Sequence, residues 1–362
     1  MINHLFSTYQ LGNIHLQNRL IMSPMTRSRA IGNIPNALMA RYYAQRATAG
    51  LIISEGIAPS PNGLGYTNIP GLFNEEQVNG WKLVTKAVHK SGGKIFAQLM
   101  HTGRIGHVSN LPAGGIVLAP SGVTATGQIW TNSGLQENSQ PRAMTKAEIN
   151  NAQKEFVDAA KNAIEAGFDG VELHGANGYL LEQFLSPFSN LRTDDYGGSV
   201  ENRARFVIET AVAVSAAIGA ERVGIRISPF SIFNDMPVYD EIEATYLYLA
   251  QKLNETGMAY IHLLENGENM VPHSLKKAIG KWFTQTIILA GNYDKDRAAE
   301  DIKSGLGNLV AFGRPFINNP DLITRFRNNW SLADNLDSST FFTADEKGYI
   351  DYQPYQDSAI AV

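Results

Sequence analysis

The stretch Thr145 to His174, TKAEINNAQKEFVDAAKNAIEAGFDGVELH, contains one complete helix-to-strand unit. Thr145 with Glu148 forms a capping-box pattern at the head of a long amphipathic run, and Gly167 stops it. Gly170-Val-Glu-Leu-His174 follows, a run short and apolar enough to be a strand buried on both faces. Seven more runs of that kind occur: Leu20 to Pro24, Leu51 to Glu55, Lys94 to Leu99, Val223 to Ile227, Tyr260 to Leu264, Thr286 to Leu289 and Leu309 to Phe312. Helical segments lie between them. Asn36 opens one through Ala49, Asn74 opens one that ends near Gly92, Asp240 opens one that ends at Gly257, and Pro320 after Asn319 suits a first helical position. Parallel strands need such crossovers, and eight repeats close into a (β/α)8 TIM barrel. The competing open doubly wound sheet would carry a GxGxxG turn after its first strand, and none follows Leu20 to Pro24.

Around this frame, Tyr9-Gln-Leu-Gly12-Asn reads as the turn of an N-terminal hairpin closing the barrel floor. Residues 101–144, after the third strand, are rich in Gly, Ser, Thr, Asn and Pro and too long for a plain connection, so a lid insertion over the mouth is expected. The whole chain, 1–362, reads as one α/β domain with a C-terminal tail from about residue 330. A net charge of −4 offers no basic excess for nucleic acid or an anionic membrane, which leaves a small molecule as the expected partner. With neither a long apolar run nor a basic-then-apolar start, a cytoplasmic location is expected. No cysteine occurs, so disulfides, thiolate metal sites, iron–sulfur clusters and a Cys nucleophile are excluded, and redox chemistry would need a bound cofactor.

Catalytic groups of a barrel stand at the carboxyl ends of its strands, and polar residues gather at those positions here. Pro24-Met25-Thr26-Arg27 follows the first strand, Glu55-Gly56 ends the second, and Gln98 lies on the third. His174-Gly-Ala-Asn177-Gly-Tyr179 ends the fourth, Arg226 sits on the fifth, Gly291-Asn292 ends the seventh and Gly313-Arg314 the eighth. The last two pairs suggest a phosphate cradle, with glycines letting backbone N–H groups approach and Arg314 adding positive potential. Gln98 and Arg226 occupy inner positions where a packed barrel prefers aliphatics. An isoalloxazine ring would use both: the amide serves its pyrimidine edge, the guanidinium holds the charge of the reduced ring, and Thr26 can donate a hydroxyl hydrogen bond to it. His101 and His107 are poorly spaced for a metal and no carboxylate cluster joins them, so no metal site is expected.

Five ordered blocks, SPMTRSRA (Ser23 to Ala30), AQLMHTGR (Ala97 to Arg104), ELHGANGYLLEQFLSP (Glu172 to Pro187), RTDDYGGSVENRARF (Arg192 to Phe206) and VAFGRPFINNPDL (Val310 to Leu322), resemble the Old Yellow Enzyme family almost end to end. The likeness is strongest to its bacterial pentaerythritol tetranitrate and N-ethylmaleimide reductase branch. The resemblance implies a noncovalent FMN reduced by NADPH or NADH and reoxidised by hydride transfer to the activated C=C bond of an enone, enal, maleimide or nitroalkene. It further implies that His174 and Asn177 bind the activating oxygen of the substrate and that Tyr179 protonates the α-carbon. Fixed donors for developing enolate charge and a hydroxyl proton source are what such a step requires.

Taken singly, His174 also reads as a hydrogen-bonded core histidine, the lesser of its two readings, and Tyr179 more often as a packing aromatic. The Arg192 to Phe206 block reads as structural, its polar side chains fastening a loop. Met100 stands where close relatives carry Trp, which suggests a roomier wall, and Tyr66, Phe233 and Tyr349 are further expected lining residues, the last from the C-terminal tail. Two other functions remain open: reductive cleavage of nitrate esters or nitroaromatics at the same site, and flavin binding without turnover. Monomer and homodimer are equally compatible with the chain.

Overall fold

The computed structural model describes residues 4–265 and 270–356, so the first three residues, 266–269 and the tail end 357–362 lie outside the described residues. A short antiparallel hairpin, β1 (Tyr9–Leu11) and β2 (Ile14–Leu16), opens the chain. Eight parallel strands then close into a barrel: β3 (Leu20–Met22), β4 (Leu51–Ile57), β5 (Ile95–Leu99), β10 (Gly170–Gly175), β11 (Val223–Ile227), β12 (Tyr260–Leu264), β13 (Thr286–Ala290) and β14 (Leu309–Phe312), with β14 pairing back onto β3. Between β5 and β10, residues 101–144 form two small sheets, β6 (Leu118–Ala119) with β9 (Arg142–Ala143) and the hairpin β7 (Gln128–Thr131) with β8 (Gly134–Glu137).

Side-chain alternation divides the barrel into two cores. Outward residues such as Val171, Leu173, Ile225, Ile261 and Leu263 join the main cluster under the helices. Inward ones, among them Ile21, Ile53, Phe96, Tyr260 and Ile288, join Leu11 and Leu16 of the hairpin, which plugs the lower end of the lumen. All eight strands are buried on both faces, which is why they read as plain apolar runs.

The helices are α1 (Ala37–Gln45), α2 (Glu75–Lys90), α3 (Lys146–Glu165), α4 (Leu180–Leu185), α5 (Val200–Ile218), α6 (Ile242–Glu255), α7 (His273–Trp282), α8 (Lys295–Lys303), α9 (Pro315–Asn318) and α10 (Leu322–Asn328). The Thr145/Glu148 capping box is formed, and Asn36 and Asn74 cap α1 and α2 with their side-chain oxygens. Three expectations need correction. α1 ends at Gln45 rather than Ala49, because Arg46 leaves helical geometry and its fully buried guanidinium donates to Phe316 O and Ile317 O. Pro320 heads no helix, since α9 ends before it and α10 begins after Asp321. The Arg192 to Phe206 block is a fastened loop only in its first half: Arg192 donates to Pro120 O and Met144 O, whereas Ser199 caps α5 and the remainder is helical.

Candidate active site

The turn after β10 carries the three residues singled out for chemistry. Asn177 (φ 59°) and Gly178 (φ 72°) both adopt left-handed backbone, a conformation that Asn tolerates and Gly occupies freely, so the chain reverses sharply and delivers Tyr179 to the head of α4. Buried polar groups pin the reversal. Asn177 N donates to Ser228 Oγ (2.9 Å), Gly178 N donates to Glu182 Oε2 (2.6 Å), and Asn234 Nδ2 donates to Asn177 O (2.7 Å). Glu182 also accepts from Tyr246 Oη (2.6 Å) and Ser228 Oγ (2.8 Å), and burial pushes its carboxyl up to about 7 despite these bonds.

Above the strand ends lies a cavity of about 440 Å³, within the range of small-molecule sites. Its wall includes Pro24, Met25 and Thr26 after β3, Gly56 on β4, Gln98 and Met100 at β5, His174, Asn177 and Tyr179 at β10, Arg226 on β11 and Arg314 after β14. Tyr66 and Phe233 also line it, as do Gln128, Ile129 and Trp130 of the β7–β8 hairpin. Met100 is buried against Gly56, where an added Cβ would stand 2.6 Å from its sulfur, so the missing side chain makes room for the thioether.

Four expected residues are not part of this cavity's lining. Tyr349 is completely buried outside the cavity, stacked on Tyr42 at 4.0 Å between ring centroids and flanked by the guanidinium groups of Arg27 and Arg29. The tail instead sends Phe341 and Phe342 to the wall. Arg29 ties that segment down, donating to Thr340 O (2.8 Å), Phe341 O (2.7 Å) and Lys347 O (3.1 Å), while Arg27 donates to Gly348 O (2.7 Å). Gly291 and Asn292 at the end of β13 stand outside the cavity lining, with Asn292 exposed. Gly313, half-buried beside Arg314, is likewise absent from the lining, and an added Cβ there would lie 3.6 Å from Met25 Sδ.

Burial sets the protonation states. The Tyr179 hydroxyl is driven well above the ordinary phenol value by burial and then by Tyr66, whose oxygen is 3.0 Å away, so it keeps its proton at neutral pH. Burial, then the charge of Arg226, holds the His174 imidazole well below its usual value, which makes it neutral. His174 Nδ1 and Arg226 Nε are buried and have no hydrogen-bond partner among the described residues. Buried polar atoms are normally satisfied, so groups facing a cavity in this condition are suited to a polar guest.

A planar, polar, anion-forming ring with a phosphate tail fits this donor set: Gln98 offers an amide, Arg226 a buried cation, and Arg314 an exposed cation at the rim. A family profile described as the NADH:flavin oxidoreductase / NADH oxidase family matches residues 4–333. The chain belongs to that family. That membership makes it an NAD(P)H-dependent flavin oxidoreductase of the Old Yellow Enzyme group. Among known proteins, 12-oxophytodienoate reductase 1 of Oryza sativa subsp. japonica is 42% identical over 357 residues, covering 96% of this chain and 92% of the relative. Morphinone reductase in complex with tetrahydroNAD superposes with a TM-score of 0.93 at 44% identity, covering 98% of each chain. The Old Yellow Enzyme homologue from Zymomonas mobilis gives 0.93 at 37%, covering 97% of this chain and 99% of that one.

Sequence reasoning missed the interior partners of the site. Glu172 and His262 lie in the lumen beneath it, fully buried, and Gln98 Nε2 donates to Glu172 Oε1 at 2.8 Å. The signal was present: Glu172 is two residues from His174 on the same strand, the parity that singled out Gln98 and Arg226. Phe341 and Phe342 left no such signal, because only the arginine clamp brings them to the mouth.

No group of His, Asp and Glu suited to holding a metal occurs among the described residues, and no described helix is long and apolar enough to cross a membrane.

Proposed function

We propose that this flavoenzyme is an ene-reductase that uses NADPH or NADH to reduce the activated C=C bond of α,β-unsaturated carbonyls, maleimides or nitroalkenes. The supporting observation is the convergence of His174, Asn177, Tyr179, Gln98 and Arg226 on one cavity. In this reading FMN is held by Pro24, Met25, Thr26, Gly56, Gln98 and Arg226, with Gly291, Asn292, Gly313 and Arg314 toward its phosphate. Bound FMN supplies the hydride.

His174 and Asn177 hold the carbonyl or nitro oxygen of the substrate by hydrogen bonds that strengthen as negative charge gathers on it, which lowers the barrier to hydride arrival at the β-carbon. A neutral imidazole suits this task, because it donates an N–H without placing a second full charge beside Arg226. Tyr179 then gives its proton to the α-carbon, and Tyr66, 3.0 Å away, is the next hydroxyl on the route by which that proton is replaced. Tyr66, Met100 and Phe233 bound the substrate space.

The test is anaerobic stopped-flow. NADPH or NADH should bleach the flavin, and 2-cyclohexenone should restore its colour. Tyr179→Phe should bleach at the native rate but recolour roughly a hundredfold more slowly; equal recolouring rates would remove Tyr179 from the mechanism. Recolouring by a nitrate ester alone would turn the assignment to reductive cleavage of nitrate esters, and failure to bleach would leave a flavin-binding protein without turnover.

A further inference from the structure

Glu172 stands in the barrel lumen one layer below the cavity, with no exposed surface. Its strand position pairs with Gln98 on one side, and one residue pair nearer the mouth His174 pairs with Arg226, which in turn pairs with His262. Both carboxylate oxygens are used: Oε1 accepts from Gln98 Nε2 at 2.8 Å, and Oε2 lies 2.8 Å from His262 Nδ1. A buried carboxylate in an apolar barrel is costly unless paired, and here the guanidinium of Arg226 supplies the compensating charge. Burial pushes the Glu172 carboxyl up, yet His262, Arg226 and Gln98 outweigh it and hold it below the usual range, so it is an anion. Burial lowers the His262 pKa against the pull of Glu172, and toward an ionised carboxylate oxygen 2.8 Å away its Nδ1 is the donor.

Two consequences follow from charge and valence alone. An ionised carboxylate only accepts hydrogen bonds, so it turns the NH2 end of the Gln98 amide toward itself and leaves Oε1 as the free end of a residue that lines the cavity. The carboxylate charge also opposes that of Arg226, the cation placed to stabilise an anionic ring.

We infer that Glu172, with His262, is a positioning residue for the cofactor site: it presents the Gln98 oxygen as an acceptor to an imide N–H on the ring edge, and its charge holds the reduction potential of the bound flavin below the value that Arg226 alone would set. This rests on the flavin reading above and extends it below the cavity floor. The balance involves no new reactant, since Glu172 neither gains nor loses a proton as electrons move.

The test is the two-electron midpoint potential of the holoprotein, by equilibration with a reference dye, together with the dissociation constant of FMN from flavin-fluorescence quenching. Glu172→Gln keeps an acceptor for Gln98 and removes the charge. It should favour the reduced flavin about tenfold at a fixed poise, about 30 mV upward for a two-electron couple. Glu172→Asp retains the charge and should stay near the native potential. Where the single neutral variant folds poorly, Glu172→Gln with His262→Gln lets two amides satisfy each other and carries the same upward shift. A neutral variant that binds FMN and has an unchanged or lower potential overturns the inference while leaving the flavin reading intact. Failure of the native protein to bind FMN overturns both.

Discussion

Replacing Glu182 by glutamine should flatten the pH dependence of stability. In the folded protein this buried carboxyl is pushed up to about 7 from an ordinary value of 4.5, chiefly by burial. Between those values the folded state binds more protons than the unfolded one, so stability falls as pH rises from 4.5 to 7 and levels off above it. A shift of this size is worth about 3 kcal/mol in all, of which about 2.5 kcal/mol falls between pH 5 and pH 8. Glutamine carries no charge at either pH. Its oxygen can accept from Gly178 N, and its NH2 can donate to the hydroxyl oxygens of Ser228 and Tyr246 now bonded to the carboxylate. Comparing each variant with itself at the two pH values cancels other groups, including Glu55, another buried carboxyl near 7. With an unfolding entropy of about 0.8 kcal/mol/K for a chain of this length, the native protein should lose about 3 °C of Tm relative to Glu182→Gln on going from pH 5 to pH 8. The assay is thermal unfolding of both proteins at both pH values, at one scan rate and saturating FMN. An unchanged Tm difference between pH 5 and pH 8 would refute the reasoning, for it would mean that Glu182 is ionised in the folded state across that range.

Arg29→Ala should cost about 2–4 kcal/mol and release the tail, because the buried carbonyl of Thr340 and the partly buried carbonyls of Phe341 and Lys347 lose a charged donor together; hydrogen exchange of that segment and the binding of bulky enones report it. Gly291→Ala should be costly at about 2–4 kcal/mol, since φ there is 110° and the new Cβ would press on the Glu265 carbonyl oxygen. The same variant should weaken FMN binding if the β13 loop cradles the phosphate, and a native dissociation constant in a folded variant would remove Gly291 from that role.

The barrel was legible because each of its eight strands is buried on both faces and the crossover helices α1, α2 and α3 start at side-chain caps, and both properties are encoded in a few neighbouring residues. The strand-end polar residues were legible for the same reason: alternation assigns Gln98, His174 and Arg226 to the lumen side before any contact is known. Long-range placement was not legible. Tyr349 was expected at the wall, yet whether a tail residue faces a cavity or a neighbouring ring depends on an arginine clamp spanning about three hundred residues of chain, a contact with no local signature. The turn at Asn177 and Gly178 is local in its dihedral preferences, but the carboxyl that pins it becomes a near-neutral buried acid only when the elements packed around Glu182 exclude water, against the opposing pull of the hydrogen bond from Tyr246 of α6. What the chain by itself determines is the periodicity of burial and the inventory of chemical groups. Which of those groups share a cavity, which way an amide points and which acid keeps its proton are decided by tertiary packing, because hydrogen-bond geometry and desolvation depend on neighbours distant in sequence.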